Sequence, residues 1–179
     1  MNHSIKFKLK NGKEVTIRRL KPDDYDALIH YRKQFATGPG AKWTWQHPKT
    51  INEQVLKKDW DDINNIFLIA LDDNKIVGLA SLFKQKPDHP WTGRVAKKST
   101  TMLEQYSSNG LGTEMNKLIE NLARQNGVHK LQAEIRHKNV RSLGNLLKHG
   151  YSIVGLVHDV AFIDGEWQHE YILEKILEK

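Results

Sequence analysis

Glu104-Gln105-Tyr106-Ser107-Ser108-Asn109-Gly110-Leu111-Gly112-Thr113 decides how this chain is read. An alternating apolar and polar stretch leads into it, and a run at helical spacing leaves it. The first N–H groups of a helix have no internal acceptor and carry partial positive charge. Glycines beside them let the backbone approach a ligand closely, so a phosphate or pyrophosphate fits there. Two known phosphate loops are excluded by the residues that follow. A P-loop needs Lys and Ser/Thr directly after its last glycine, and here Gly112 precedes Thr113-Glu114. A dinucleotide fingerprint needs Gly or Ala three residues after the second glycine, and that position is Met115.

Downstream, Leu111, Met115, Leu118, Ile119 and Leu122 recur at helical spacing over 110–126, and Gly127 is a natural stop. Leu131, Ala133 and Ile135 alternate with polar residues and predict a strand. Asn139 is placed to cap a short helix that ends at Gly150. Two strands follow, 151–163 and 167–176, around Asp164-Gly165-Glu166.

Upstream, 94–106 contains a strand ending near Glu104, and 66–71 and 75–83 form a predicted hairpin around Asp72-Asp73-Asn74. Helices are expected after Pro22-Asp23-Asp24 and from Asn52 to Asp62, and a strand from Val15 to Leu20. The order is β-α-α-β-β-β-α-β-α-β-β, with a central β-α-β crossover that should be right-handed. One α/β domain spanning residues 1–179 is expected.

The longest apolar run, Ile66 to Leu71, is far shorter than the ~20 residues that cross a bilayer. The N-terminus lacks the apolar stretch of a signal peptide. With no cysteine, disulfides, thiolate nucleophiles and cysteine-zinc sites are excluded, and a cytoplasmic location is expected. The net charge is +7, concentrated between Lys117 and His149, where seven Lys/Arg face two acids. Such a region attracts a phosphorylated cofactor or simply keeps the protein soluble. No aromatic is interleaved with those basic residues, so a nucleic-acid stacking platform is not expected. The histidines form no convincing metal set, although His158 and His169 fall on neighbouring tail strands.

Two motifs carry a family resemblance. Met102 to Gly112 resembles the signature in which a strand is followed by Arg/Gln-x-x-Gly-x-Gly/Ala; both glycines are kept and Ser107 stands at the Arg/Gln position. Asn139-Val140-Arg141-Ser142-Leu143-Gly144-Asn145-Leu146-Leu147-Lys148-His149-Gly150-Tyr151 is similar to Asn-x-x-Ala-x-x-Leu-Tyr-x-x-x-Gly-Phe. Together, over 102–151, they resemble the GNAT family of N-acetyltransferases. The resemblance implies a mixed, mostly antiparallel sheet of about seven strands with helices on both faces. It implies acetyl-CoA as cofactor and an amine as acceptor.

Carried over residue by residue, backbone groups of Met102, Leu103 and Glu104 would meet the pantetheine and thioester. N–H groups of Ser107, Ser108, Asn109, Gly110, Leu111, Gly112 and Thr113 would hold the pyrophosphate. Asn139 and Ser142 belong to the pantetheine motif, and Arg141 or Lys148 would meet a phosphate. Glu104 is the candidate general base. The tyrosine that serves as general acid is replaced, on this reading, by Leu147. Tyr106, Tyr151 and His149 are nearby alternatives, with Tyr106 in the loop the preferred one. A thiol of pKa near ~8.5 also leaves tolerably without an acid. The connection between the first two helices commonly lines the acceptor site, which points to Trp43 and Trp45. A small amine, an amino acid, an aminoglycoside and a protein N-terminus are all open as acceptor. A homodimer paired through the tail strands is a further expectation.

Overall fold

A computed structural model of the chain describes residues 4–177. In chain order the elements are β1 (Ile5–Lys8), β2 (Glu14–Arg19), α1 (Tyr25–Ala36), α2 (Glu53–Asp61), β3 (Asn65–Asp72), β4 (Lys75–Lys84), β5 (Val95–Met102), α3 (Leu111–Gln125), β6 (Lys130–Arg136), α4 (Val140–Lys148), β7 (Ser152–Ile163) and β8 (Glu166–Ile176). The strands form one sheet in the order β1-β2-β3-β4-β5-β6-β8-β7. Every neighbouring pair is antiparallel except β5 and β6. The eighth strand is β1, which sequence periodicity did not reveal: it is four residues long and reads Ile-Lys-Phe-Lys.

Local signals set the element ends. Pro22–Asp24 forms a short 3-10 turn that feeds α1. The Asn52 side chain accepts from the N–H groups of Gln54 and Val55 and so caps α2. Gly127 and Gly150 take positive φ after α3 and α4, the left-handed conformation that closes a helix cheaply only at glycine.

Helices cover both faces. On one, Tyr31 of α1 donates to the Thr101 hydroxyl of β5 at 3.0 Å. On the other, α3 lies along β4 and β5 with Leu111, Met115 and Ile119 fully buried. Close approach there depends on Gly78 of β4, where a Cβ would stand 3.2 Å from Met115 Sδ. Ile17, Leu28, Leu68, Ile69, Leu79, Leu82 and Leu131 complete the buried centre. Each such side chain contributes about 1.5–3 kcal/mol by leaving water. Asn116 and Glu120, both on α3, are buried among them, and buried polar groups of this kind need partners. Among the described residues no helix is long and apolar enough to cross a membrane.

Candidate active site

The site begins where the sheet opens. β5 pairs with β6 only at Val95–Lys130, Ala96–Leu131 and Lys97–Gln132, yet β5 runs on to Met102 and β6 to Arg136. On its other edge β5 stays paired with β4 as far as Met102. From Lys98 onward the edge of β5 that faces β6 is therefore released from the ladder. A cavity of about 240 Å³ occupies the parting. Residues from both faces of the sheet line it, so the opening joins one side to the other. Lys98, Thr100, Asn116, Asn139 and Ser142 line it on the α3 side, and Trp43, Trp45, Lys97, Glu134 and Glu170 on the α1 side.

Beside the parting lies the glycine loop. Glu104–Tyr106 forms a 3-10 turn, Ser108 takes φ of 62° and Gly110 takes φ of 88°. The first helical bond runs from Glu114 N–H to the Gly110 carbonyl. Among the described residues, no acceptor engages the N–H groups from Ser108 to Thr113. That cluster of free donors at a helix start has the chemistry to receive an anion. Ser107 is not part of it, because its N–H is used by the Glu104 carbonyl at 2.9 Å. Leu103 also differs from expectation. Its N–H donates to the Val77 carbonyl, and its carbonyl accepts from Tyr106. Of the strip predicted to meet a pantetheine, Leu103 and Glu104 have already turned away from the opening; only Met102 is strand. The released edge is Lys98 to Met102.

On the α3 side the polar groups form a chain. Lys98 Nζ and the Thr100 hydroxyl both donate to Asn116 Oδ1, at 2.6 and 2.7 Å. Asn116 Nδ2 donates to Asn145 Oδ1 at 2.9 Å, and Asn145 Nδ2 to the Thr113 hydroxyl at 2.8 Å. This ties β5, α3 and α4 together beneath the parting. The Asn139 side-chain oxygen caps α4 by accepting from Ser142 N–H at 3.2 Å.

The position of the missing tyrosine is corrected. Leu147 is 43% exposed, so no side chain there reaches the site. Counting the family motif from Asn139 to Gly150 puts the tyrosine at Leu146, and Leu146 is the one that turns inward, 1% exposed. Leucine has no proton to give at either position.

Other candidate residues also stand away from the cavity. The Tyr106 hydroxyl donates to the Asp72 carboxylate, which Lys13 also holds. Burial and Asp72 both push the Tyr106 pKa up. It faces the β3–β4 turn, away from the cavity, and is no acid for this site. Tyr151 is buried at 3% exposure and does not line the cavity. Glu104 is exposed and paired with Arg141 Nη1 at 3.1 Å on the α4 side. Glu104 thus lies on the α4 side, apart from Trp43 and Trp45, and Arg141 is engaged by it. Lys148 is exposed at the far end of α4, ~10 Å along the axis from Arg141.

The α1 side carries the chemistry that sequence reasoning missed. Arg136 and Glu170 are cross-strand partners on β6 and β8, with Arg136 Nη1 3.4 Å from Glu170 Oε1. Both are buried, at 2% and 5% exposure. Burial raises the Glu170 pKa, and Arg136 only partly opposes that. Nε and Nη1 of Arg136 make no hydrogen bond. The guanidinium carbon lies over the Trp45 ring, 3.9 Å from its centre, a contact that suits this cation. Lys97 and Glu134 form a second, more exposed pair at 2.5 Å. Trp43 and Trp45, picked out in the sequence as a candidate aromatic wall, thus border the cavity with two carboxylates.

His158 and His169 do approach, with ring centres 5.0 Å apart, and His137 lies 4.9 Å from His169. The Nδ1 atoms of His137 and His169 are spent on the backbone, since His137 accepts from His169 N–H and His169 from Asp159 N–H. Among the described residues no group of ligating side chains is arranged to hold a metal.

A sheet opened beside a bare helix start, with an acid-bearing aromatic pocket on its other face, is an arrangement able to take an extended anionic ligand. The chain belongs to the GNAT acetyltransferases: the model of the acetyltransferase (GNAT) domain matches residues 17–172. Solved structures share the fold. An acetyltransferase of the GNAT family from Streptococcus pneumoniae superposes with a TM-score of 0.80 at 20% identity, covering 92% of this chain and 99% of that one. A putative acetyltransferase from Salmonella typhimurium, solved with its cofactor acetyl-CoA, gives 0.78 at 17% identity over 92% and 95% of the two chains. A ribosomal-protein-alanine N-acetyltransferase from Brucella melitensis gives 0.76 at 21% identity over 90% and 99%. No curated protein sequence is significantly similar to the chain.

Proposed function

We propose that this protein is an acetyl-CoA-dependent N-acetyltransferase that acts on a primary amine of a small molecule or a protein N-terminus. One observation carries the reading: the cavity in the β5–β6 parting connects the face that bears the free α3 N–H groups with the face that bears Trp43, Trp45 and Glu170. The donors fit the ligand. N–H groups from Ser108 to Thr113 would hold the diphosphate. The released edge of β5 and the Asn139 side chain would hold the pantetheine arm. Acetyl-CoA supplies an acetyl group activated as a thioester.

The protein's own work is proton handling. An alkylammonium has a pKa near ~10.4 and must lose its proton before it attacks. Glu170 is the carboxylate on the acceptor side best suited to take it, since it is buried, faces the cavity and has a raised pKa. A cytoplasmic location belongs to the same reading and is supported by the absence of cysteine.

Calorimetric titration with acetyl-CoA tests this, with NAD and ATP as controls. Saturable binding of acetyl-CoA alone is expected, followed by amine-dependent release of thiol. A folded sample that binds none of the three would overturn the proposal. Ser107 and Leu146 favour a second reading, a module that binds acetyl-CoA without turnover. Binding with no thiol release across amine classes would establish that reading instead.

The homodimer remains part of the proposal. β7 is an edge strand whose Ile153, Val154, Leu156 and Val157 are exposed, and apolar edges of this kind are usually covered. Light scattering should give twice the chain mass, and Val154→Lys should return a monomer. A wild-type monomer at assay concentration would remove the dimer from the reading.

A further inference from the structure

Loss of the family tyrosine leaves a question about the sulfur. When an acetyl group leaves coenzyme A, a thiolate appears at the parting, and neither Leu146 nor Leu147 offers it a proton or a positive charge. On its α3 side a cation lines that opening. Lys98 sits on β5 at the first residue beyond the last β5–β6 pair, and its side chain is 7% exposed as a residue. Its ammonium has three N–H groups and one hydrogen-bond acceptor, Asn116 Oδ1. That oxygen is already shared with the Thr100 hydroxyl.

The other charged groups near Lys98 do not contact it, and Glu120 favours its charge only from a distance. Glu120 of α3 is paired with Lys175 of β8 at 2.7 Å, and Lys175 also donates to the His149 carbonyl. Tyr151, which follows α4, presents its ring face to Lys98 with the ammonium 5.7 Å from the ring centre. Asn145 of α4 receives from Asn116 rather than from the lysine. Among the described residues no carboxylate lies within ion-pair distance of Lys98. A buried ammonium without a counter-ion is costly. This one borders the cavity, where a ligand can bring the missing anion.

We propose that Lys98 is the group that receives the coenzyme A sulfur: its ammonium pairs with the departing thiolate and gives it a proton. The inference rests on the acetyl-CoA reading above. The balance is as follows. The acceptor nitrogen forms a bond to the acetyl carbon, and the carbon–sulfur bond breaks with its electron pair on sulfur. One Nζ proton passes to that sulfur. Two protons leave the acceptor ammonium on its way to the amide; one goes to solvent by way of Glu170, and the other restores Lys98. Burial assists the transfer, since it pushes the Lys98 pKa down to about 8. That is close to the ~8.5 of a free thiol, so the proton moves between matched partners.

The test uses coenzyme A in its thiol form and reads the ultraviolet absorbance of the thiolate against pH. Bound to the wild type, the thiol should titrate below its free value. In Lys98→Met it should titrate at least about one unit higher than in the wild type, a tenfold change in the thiolate fraction at fixed pH. Lys98→Arg keeps a cation but is a poor acid, so it should hold the thiol pKa low while turnover falls ~10²-fold. Acetyl-CoA affinity by calorimetry should stay within a few-fold of wild type in both variants. A bound thiol that titrates like the free one in the wild type, or identically in wild type and Lys98→Met, overturns the role of Lys98. Calorimetry separates that outcome from failure of the functional reading, because a wild type that binds no coenzyme A loses both.

Discussion

Glu170→Gln is expected to lower kcat by ~10²–10⁴-fold, the usual contribution of a general base, with acetyl-CoA affinity within a few-fold of wild type. The acceptor side offers two carboxylates, and their surroundings separate them. Glu134 is paired with Lys97 at 2.5 Å and its side chain is 32% exposed, so it is already engaged by a cation and open to solvent. Glu170 is 5% exposed, and desolvation raises its pKa. A carboxylate with a raised pKa is the stronger base, and Arg136 opposes only part of the shift. In the wild type the rising limb of kcat/KM against pH should therefore lie above the ordinary glutamate value near ~4.3. Glutamine keeps a carbonyl acceptor beside Arg136 but cannot take a proton, so that limb should vanish along with the rate. Full turnover in Glu170→Gln would exclude it as the base. Glu104→Gln is the companion variant. Its carboxylate is exposed and on the α4 side, and turnover there is expected to be unchanged.

The contrast between these two glutamates shows where the sequence stops being informative. Helical spacing from Leu111 to Leu122 and the stop at Gly127 define α3 to within a residue or two, because both signals are local. The same is true of the Asn139 cap and of the alternation in β6. Both family motifs are local too and lead to the glycine loop, while Trp43 and Trp45 come from the connection between the first two helices. The parting of β5 from β6 is not local. It depends on two strands, joined through α3, ceasing to pair after Lys97. Lys98 and Glu170 look like ordinary polar residues in strands; only the packing of α3 on one and of Arg136 and Trp45 on the other takes them out of water. A partial signal existed. Ala96, Lys98 and Thr100 share one face of β5, and a lysine between small inward residues asks what holds it. Glu104 reads in the sequence as the end of a strand that faces an acceptor, but the strand stops at Met102 and the 3-10 turn at Glu104–Tyr106 carries it past the end.

Arg136→Met should have the largest effect on stability, a loss of about 3–5 kcal/mol at neutral pH. Methionine replaces the length of the side chain and keeps contact with Trp45, so lost packing is the smaller part. The larger part falls on Glu170, which would be a buried carboxylate 7% exposed at its side chain with its cross-strand cation gone. Arg136 is the group that lowers the Glu170 pKa against burial, so its removal moves that pKa further up. The sign follows from linkage. A carboxyl whose folded pKa lies above its unfolded value binds its proton more tightly when folded. Its favourable contribution is full below the unfolded pKa and is lost as pH rises through the folded one. The deficit of Arg136→Met relative to wild type should thus be largest at neutral pH and shrink below about pH 4.3, where Glu170 is neutral in both folded and unfolded chains. The same change should carry the rising limb of kcat/KM to higher pH. Urea melts at neutral and acidic pH, with a pH–rate profile of the variant, measure both. An equal deficit at the two pH values would mean that the guanidinium acts through packing under Trp45 alone. The ion pair would then have no part in tuning Glu170.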